Sequence, residues 1–494
     1  MDDTHQDNSE RAETLDLAGA VGRILPALQE FLRFEGEDPA LLRDSWQARL
    51  EEPLPERGAG ADAVLKLVAE VVIPAGLRIG APGFCGWVTT GPTVVPAAAG
   101  FAGSVATPQK WFQSSGNFLE ALGLRWLQQL LGLPAAFAGS FVSGGAQANL
   151  LGLAAARQHA GEGLGFDPAA EGVRGLTSPR IYASQHVHHV VLRALGLLGL
   201  GRAALVLIPT DVRKGPDLEH LRRMILGDLK AGRNPVAVVA SAGDVNTGTI
   251  DPLGPMGEIA REHQLWFHVD GAYGGFGVLD PRVRDLYGGF AHVDSLAVDP
   301  HKWLAAPVGC GAGFVRDGDL LARALALEPS DYVHSKAPPA PSRSSVFDSL
   351  GAGDPDHSTE HSAPSRGLVV WAILKEIGVE GVRARVARHL DCARLVASRV
   401  RSHPDLELLA EPVLSICCFR VHPPRIRASG ELERLNEAVL AEVRARGRSV
   451  PSSTRVNNKL AIRPCFIGAR AGLEEADLLV DEVLRAARKL IPPE

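Results

Sequence analysis

Two short strings place an amine and a carboxylate where chemistry can use them. In HVDGAYGGF, Asp270 follows directly on a run of strand-forming residues, which puts it at the carboxyl end of a strand, the edge at which α/β sheets present their ligands. In SLAVDPHKWL, His301 and Lys302 follow a second such run. A lysine amine that is partly desolvated or near other cations exchanges readily between imine and free amine. A carboxylate can keep a heteroaromatic nitrogen protonated, so that its ring takes up electrons. Alone, either residue reads as an ordinary loop lysine or turn aspartate; the pair, each member after its own strand, is the informative feature.

Two further strings supply what such a pair would need. In GSFVSGGAQANLLGLAAAR, Ser143, Gly144 and Gly145 precede a run of strong helix formers. Free backbone N–H groups and the helix dipole at such an entry can hold a phosphate dianion. In YASQHVHHVVLRAL, His186, His188 and His189 cluster at the end of a strand-like run, where a flat imidazole can stack on a ring. No Asp, Glu or Cys accompanies them at ligand spacing, so no metal is expected. An imine-forming amine, a carboxylate for a ring nitrogen and a phosphate cup are together the requirements of pyridoxal 5′-phosphate (PLP).

The elements around these strings alternate. ALVLIP, VAVVASAG, LWFHVDGA and SLAVDP are short apolar runs, each ending in Gly, Pro or Asp and separated by helical periodicity. That rhythm predicts an α/β fold with a mainly parallel sheet buried on both faces. Residues 1–15 read as disordered, and 16–97 as a helical segment ending in PGFCGWVTTGPTVVP, a linker able to line a site. The large domain is expected over 98–370, including a Pro/Ser/Gly-rich lid at 335–366. A smaller α+β domain follows over 371–494, with LSICCFRVH as a strand and LEEADLLVDEVLRAARKL as an amphipathic last helix.

Composition narrows the class. A net charge of −6 and the lack of a long Lys/Arg run argue against nucleic-acid binding. No apolar stretch is long enough to span a bilayer, since Arg193 and Arg202 interrupt the richest region. The start, MDDTHQDNSERAETLD, has no signal-peptide character. Six scattered cysteines form no CxxC pair, which fits a reducing cytoplasm.

Taken together, these strings resemble the group II PLP-dependent amino-acid decarboxylases, the family of aromatic-L-amino-acid and glutamate decarboxylases, from about residue 75 to the C-terminus. The resemblance implies PLP-dependent fold type I (aspartate aminotransferase-like) and a homodimer formed through the N-terminal segment, with the active site at the subunit interface. It implies that Lys302 carries PLP as a Schiff base, that Asp270 pairs with the pyridine nitrogen and that Ala272 packs against the ring. His188 would stack on the cofactor and touch the substrate; Gly145, Ala146 and His301 would bind the phosphate. Ala146 stands where the family has Ser or Thr, and Gln147 where it has Glu. In SAGDVNTGT, Asp244 and Val245 replace a GTT pattern, leaving Asn246 or Thr247 to compensate.

The family's lid tyrosine, which returns a proton after carbon dioxide leaves, has no counterpart. Tyr332 lies ahead of the lid, which holds Phe347, His357 and His361 instead. The implied reaction is decarboxylation of an L-amino acid to its amine through a quinonoid intermediate, with an aromatic or medium-sized side chain favoured. Oxidative deamination to an aldehyde is the alternative that the missing tyrosine raises. A PLP-binding protein without turnover is the second alternative; retention of Lys302, Asp270, His188 and His301 together counts against it.

Overall fold

The computed structural model describes residues 17–35, 43–107, 115–211, 215–325, 357–360 and 362–491. The expected disordered start, most of the lid, and Tyr332, Phe347 and His361 lie outside the described residues. The chain falls into two units, residues 1–81 and 82–494. In the first, helices Leu17–Phe31, Arg43–Leu50 and Ala61–Leu67 are followed by a π-helical turn, Val68–Val72. The ion pairs Arg23–Asp62 and Arg49–Glu70 connect these helices at 2.7 and 3.3 Å.

In the second unit a seven-stranded sheet runs in the spatial order Ala138–Val142, Gly311–Val315, Ser295–Val298, Trp266–Asp270, Asn234–Ser241, Pro179–Ser184, Leu205–Ile208. Only Gly311–Val315 runs antiparallel to its neighbours, so the mainly parallel sheet read from the sequence is present. Alternation sorts the side chains. Phe267, Val269, Leu296 and Val298 enter the core on one face, while Trp266 and Ala297 enter that on the other. Helix Gly145–Gly163 lies on the Trp266 face and can do so closely because Gly152 has no side chain. A Cβ there would sit 2.5 Å from His268 Nδ1 and 2.8 Å from Ser295 Oγ.

The C-terminal part has its own five-stranded sheet and core, covered by helices Ser429–Ala445 and Leu473–Leu490. The last helix has the bounds expected from its apolar stripe. Two sequence readings shift. LSICCFRVH contributes only Cys418–Val421 as a strand, because Ser415 is bonded to Tyr273 and Ile416 forms an isolated bridge with Cys465. The segment read as a linker contains a short strand, Phe84–Cys85, that pairs in parallel with Val450–Val456. Among the described residues no helix is long and apolar enough to cross a membrane.

Candidate active site

The two motif strands end side by side, since Trp266–Asp270 pairs in parallel with Ser295–Val298. After the second strand comes a single helical turn, Pro300–Trp303, with proline at its first position, where a missing N–H costs nothing. That turn carries His301 and Lys302. His301 Nδ1–H donates to Cys310 O (2.8 Å), which fixes the ring and places Nε2 3.7 Å from Asp299 Oδ2. Trp303, fully buried, stacks on Tyr273 with centroids 5.4 Å apart and donates Nε1–H to His389 Nδ1 (2.8 Å). Nε2–H of His389 in turn donates to Gly468 O (2.9 Å), and burial pulls this imidazole down to about 3, so it is neutral in the folded protein. A chain of aromatic and hydrogen-bonded contacts thus anchors the Lys302 turn to the C-terminal part.

Asp270 is 8% exposed, and its Oδ1 accepts the N–H of Ala272 (3.1 Å). Two residues back along the strand, His268 accepts or donates to Asn149 Oδ1 through Nε2 and to Ser295 Oγ through Nδ1, both at 2.8 Å. The strand is thereby pinned to the helix that starts at Gly145. Burial lowers His268 to about 4, with Asp270 opposing. Between pH 6.5 and 4 the unfolded chain therefore binds a proton here that the folded chain does not, so stability falls as pH drops through that window, by roughly 3 kcal/mol. His268→Asn is expected to be less stable at pH 7 and to lose less stability between pH 7 and 5 than the wild type in urea unfolding. Equal losses would contradict the assignment.

At the start of helix Gly145–Gly163 no side chain among the described residues caps the backbone, and the N–H groups of Gln147 and Ala148 both turn to Gly144 O. The preceding amides have no intrahelical partner. Gly145 is required by close approach: a Cβ would lie 2.8 Å from both Ala272 Cβ and Asp299 Oδ2. His188 caps helix His189–Leu197, its Nδ1 accepting the N–H of Val190 (3.3 Å). The proton therefore resides on Nε2. Burial lowers its pKa, with Asp270 opposing and His189 assisting.

All seven expected site residues, Gly145, Ala146, His188, Asp270, Ala272, His301 and Lys302, line one cavity of about 500 Å³. Ser143, His186, Asp244, Val245, Tyr273 and Asp299 line it too. Neither Asn246 nor Thr247 does. The Thr247 hydroxyl is bonded to Asp244 and Thr249, and Asn246 Oδ1 accepts from Thr454, so the compensation expected of them is not made. Trp87 and Val88 line the wall, whereas Thr89, Thr90 and Gly91 do not, and Phe84 lies behind Trp87 (6.0 Å between centroids). His357 bonds to Gly318 O, away from the cavity.

Three contributors were missed in the sequence. Arg463, 3% exposed, donates to the carbonyls of Trp87, Val245 and Asn246 and so ties two walls of the cavity to the small sheet. Tyr273 shares the HVDGAYGG string but acts by stacking and by bonding Ser415 (2.7 Å). Asp299 opens the DPHKW string and lies 2.9 Å from Lys302 Nζ.

These residues fit PLP. The open helix start suits a phosphate, the small Ala272 leaves room for a ring, and an amine and a carboxylate share the cavity. Comparison with known proteins agrees. Residues 112–422 match the family model described as the pyridoxal-dependent decarboxylase conserved domain. An aromatic-L-amino-acid decarboxylase of Bacillus atrophaeus is 28% identical over 87% of this chain and 86% of its own. A phenylacetaldehyde synthase of Arabidopsis thaliana is 26% identical over 85% and 84%. The crystal structure of Oryza sativa TDC with PLP and tryptamine superposes with a TM-score of 0.85 at 22% identity, covering 97% of this chain and all of that one.

Proposed function

The chain belongs to the pyridoxal-dependent decarboxylases and is a PLP-dependent amino-acid carboxy-lyase of fold type I; from that premise we propose that the cavity around Lys302 is its active site. The carrying observation is the meeting of Lys302, Asp270, His188, His301 and the uncapped helix start at Gly145 in one cavity. When bound, PLP supplies an electron sink for the pair left behind as the bond from the α-carbon to the carboxylate breaks. Lys302 Nζ would hold the cofactor and give way to the amine of the substrate. Asp270, oriented by the Ala272 N–H, would keep the proton on the ring nitrogen. Ala272 and His188, which both line the cavity, would hold the ring, and the His188 Nε2–H would be available to the substrate. Backbone amides at Gly145 and Ala146, with His301, would hold the phosphate, and Ala146 adds no hydroxyl to the cup.

Carbon dioxide leaves and a proton takes its place on the α-carbon. Apolar wall residues Trp87, Val88, Val245 and Val308 favour an aromatic or medium-sized side chain, in keeping with the name of the Bacillus relative. Exposed apolar side chains of the cavity wall, Trp87 at 61% and Val308 at 65%, support a second copy of the chain packing there, and the N-terminal segment is the expected source of further dimer contacts. A sedimentation mass of one 52.4 kDa chain would contradict the dimer. Six buried free cysteines suit a reducing cytoplasm.

A panel of amino acids incubated with the protein and PLP in air, read by mass spectrometry, tests the reaction. Amine and carbon dioxide without oxygen uptake are expected. Aldehyde, ammonia and oxygen consumption would instead establish the oxidative reading, which the tyrosine-free lid sequence raises and with which the phenylacetaldehyde synthase relative is compatible.

A further inference from the structure

We infer that Asp299 is a built-in rival of the cofactor's phosphate and sets how tightly the protein holds PLP. Its side chain is 2% exposed and lies among groups that an incoming anion would use. Oδ2 is 2.9 Å from Lys302 Nζ and 3.7 Å from His301 Nε2. Oδ1 is buried and has no hydrogen-bond partner among the described residues. The carboxylate faces the uncapped helix start, since a Cβ on Gly145 would lie 2.8 Å from Oδ2 and one on Gly144 3.9 Å from Oδ1. Negative charge at a helix N-terminus is favourable, so Asp299 already draws on the positive potential of the amides at Gly144, Gly145 and Ala146. A phosphate dianion entering the same cup has to share that potential with a like charge a few ångströms away, in surroundings that screen it less than water does.

Lys302 cannot cancel the conflict, because its amine is the group that bonds the cofactor. As Nζ turns to the aldehyde carbon, Asp299 loses its closest cation and its charge acts more strongly on the phosphate. Part of this penalty would be felt by any aldehyde bound through Lys302. The part that acts through the phosphate would be felt by PLP and not by pyridoxal, which has the same ring and aldehyde and no phosphate.

The inference rests on the reading of Gly144–Ala146 as the phosphate cup, and the ratio of the two affinities separates it from that reading. Apoprotein would be titrated with PLP and with pyridoxal, following the absorbance of the bound chromophore, for the wild type, Asp299→Asn and Asp299→Ser. Both neutral variants are expected to raise the PLP-to-pyridoxal affinity ratio by roughly tenfold. The serine variant provides the answer if the asparagine variant does not fold. A ratio that stays the same or falls would overturn the role of Asp299, even if both compounds bind more tightly. A wild-type protein that binds neither compound would instead overturn the assignment of the cavity.

Discussion

Lys302→Ala will lower turnover by more than about 10⁴-fold, beyond the upper end of what one proton-transferring group contributes, while leaving the fold intact. The size follows from the number of tasks that meet on one atom. Among the described residues Lys302 Nζ is the only lysine nitrogen lining the cavity, so none of them offers a second amine to hold PLP. The turn that carries it is held by contacts independent of the amine: His301 to Cys310, Trp303 to His389, and Trp303 stacked on Tyr273. Truncation beyond Cβ therefore removes chemistry without removing support. Among the described residues the one ion pair lost is the 2.9 Å contact with Asp299, whose carboxylate borders the cavity. Steady-state rates with the amino acid that the wild type turns over, together with circular dichroism, separate the two effects. Retained turnover above a hundredth of the wild-type rate would be incompatible with the role given to Lys302.

The second large effect is expected at Asp270. Asp270→Ala should lower kcat on the order of 10³-fold, similar to the loss of a preorganised electrostatic contact in a water-poor site, and should weaken PLP binding as well. Asp270 ends a strand flanked on both sides by parallel neighbours and is 8% exposed. Its carboxylate is oriented by the Ala272 N–H, and the strand below it is pinned through His268 to Asn149 and Ser295. A charge fixed this way acts on the ring nitrogen at little reorganisation cost. Without it that nitrogen loses its proton and the ring its capacity to take up electrons. Asp270→Glu keeps the charge but moves it, so partial activity is the expected result there. An Asp270→Ala variant within tenfold of the wild type would remove Asp270 from the mechanism.

Much of this arrangement was legible in the sequence because it is local. DPHKW, HVDGAYGG and SGGAQAN are each a strand end or a helix start, and the apolar runs before them announce the strands of the parallel sheet. In such sheets the ligand site lies at the carboxyl ends of the strands, so three separate strings could be expected in one place. The contributions that escaped are long-range. Nothing in KLAIRPCF marks Arg463 as the side chain that grips the carbonyls of Trp87 and Val245, because carbonyl acceptors leave no signature in the residue type. The pairing of Phe84–Cys85 with Val450–Val456 is two residues long at one end, too short to show a period of two. Thr247 looked available for the cofactor, and its use by Asp244 depends on a turn geometry that the sequence does not spell. Asp299 was in view inside its motif, yet the packing of Gly145 against its carboxylate emerges only once the helix and the strand are placed side by side.

The most direct measurement is to incubate the protein with PLP, reduce it with borohydride and locate the cofactor by peptide mass spectrometry. The expected result is a pyridoxyl group on Lys302 in the wild type and none at the corresponding peptide of Lys302→Ala. A modified lysine elsewhere in the wild type, with Lys302 left untouched, would contradict the assignment of the active site.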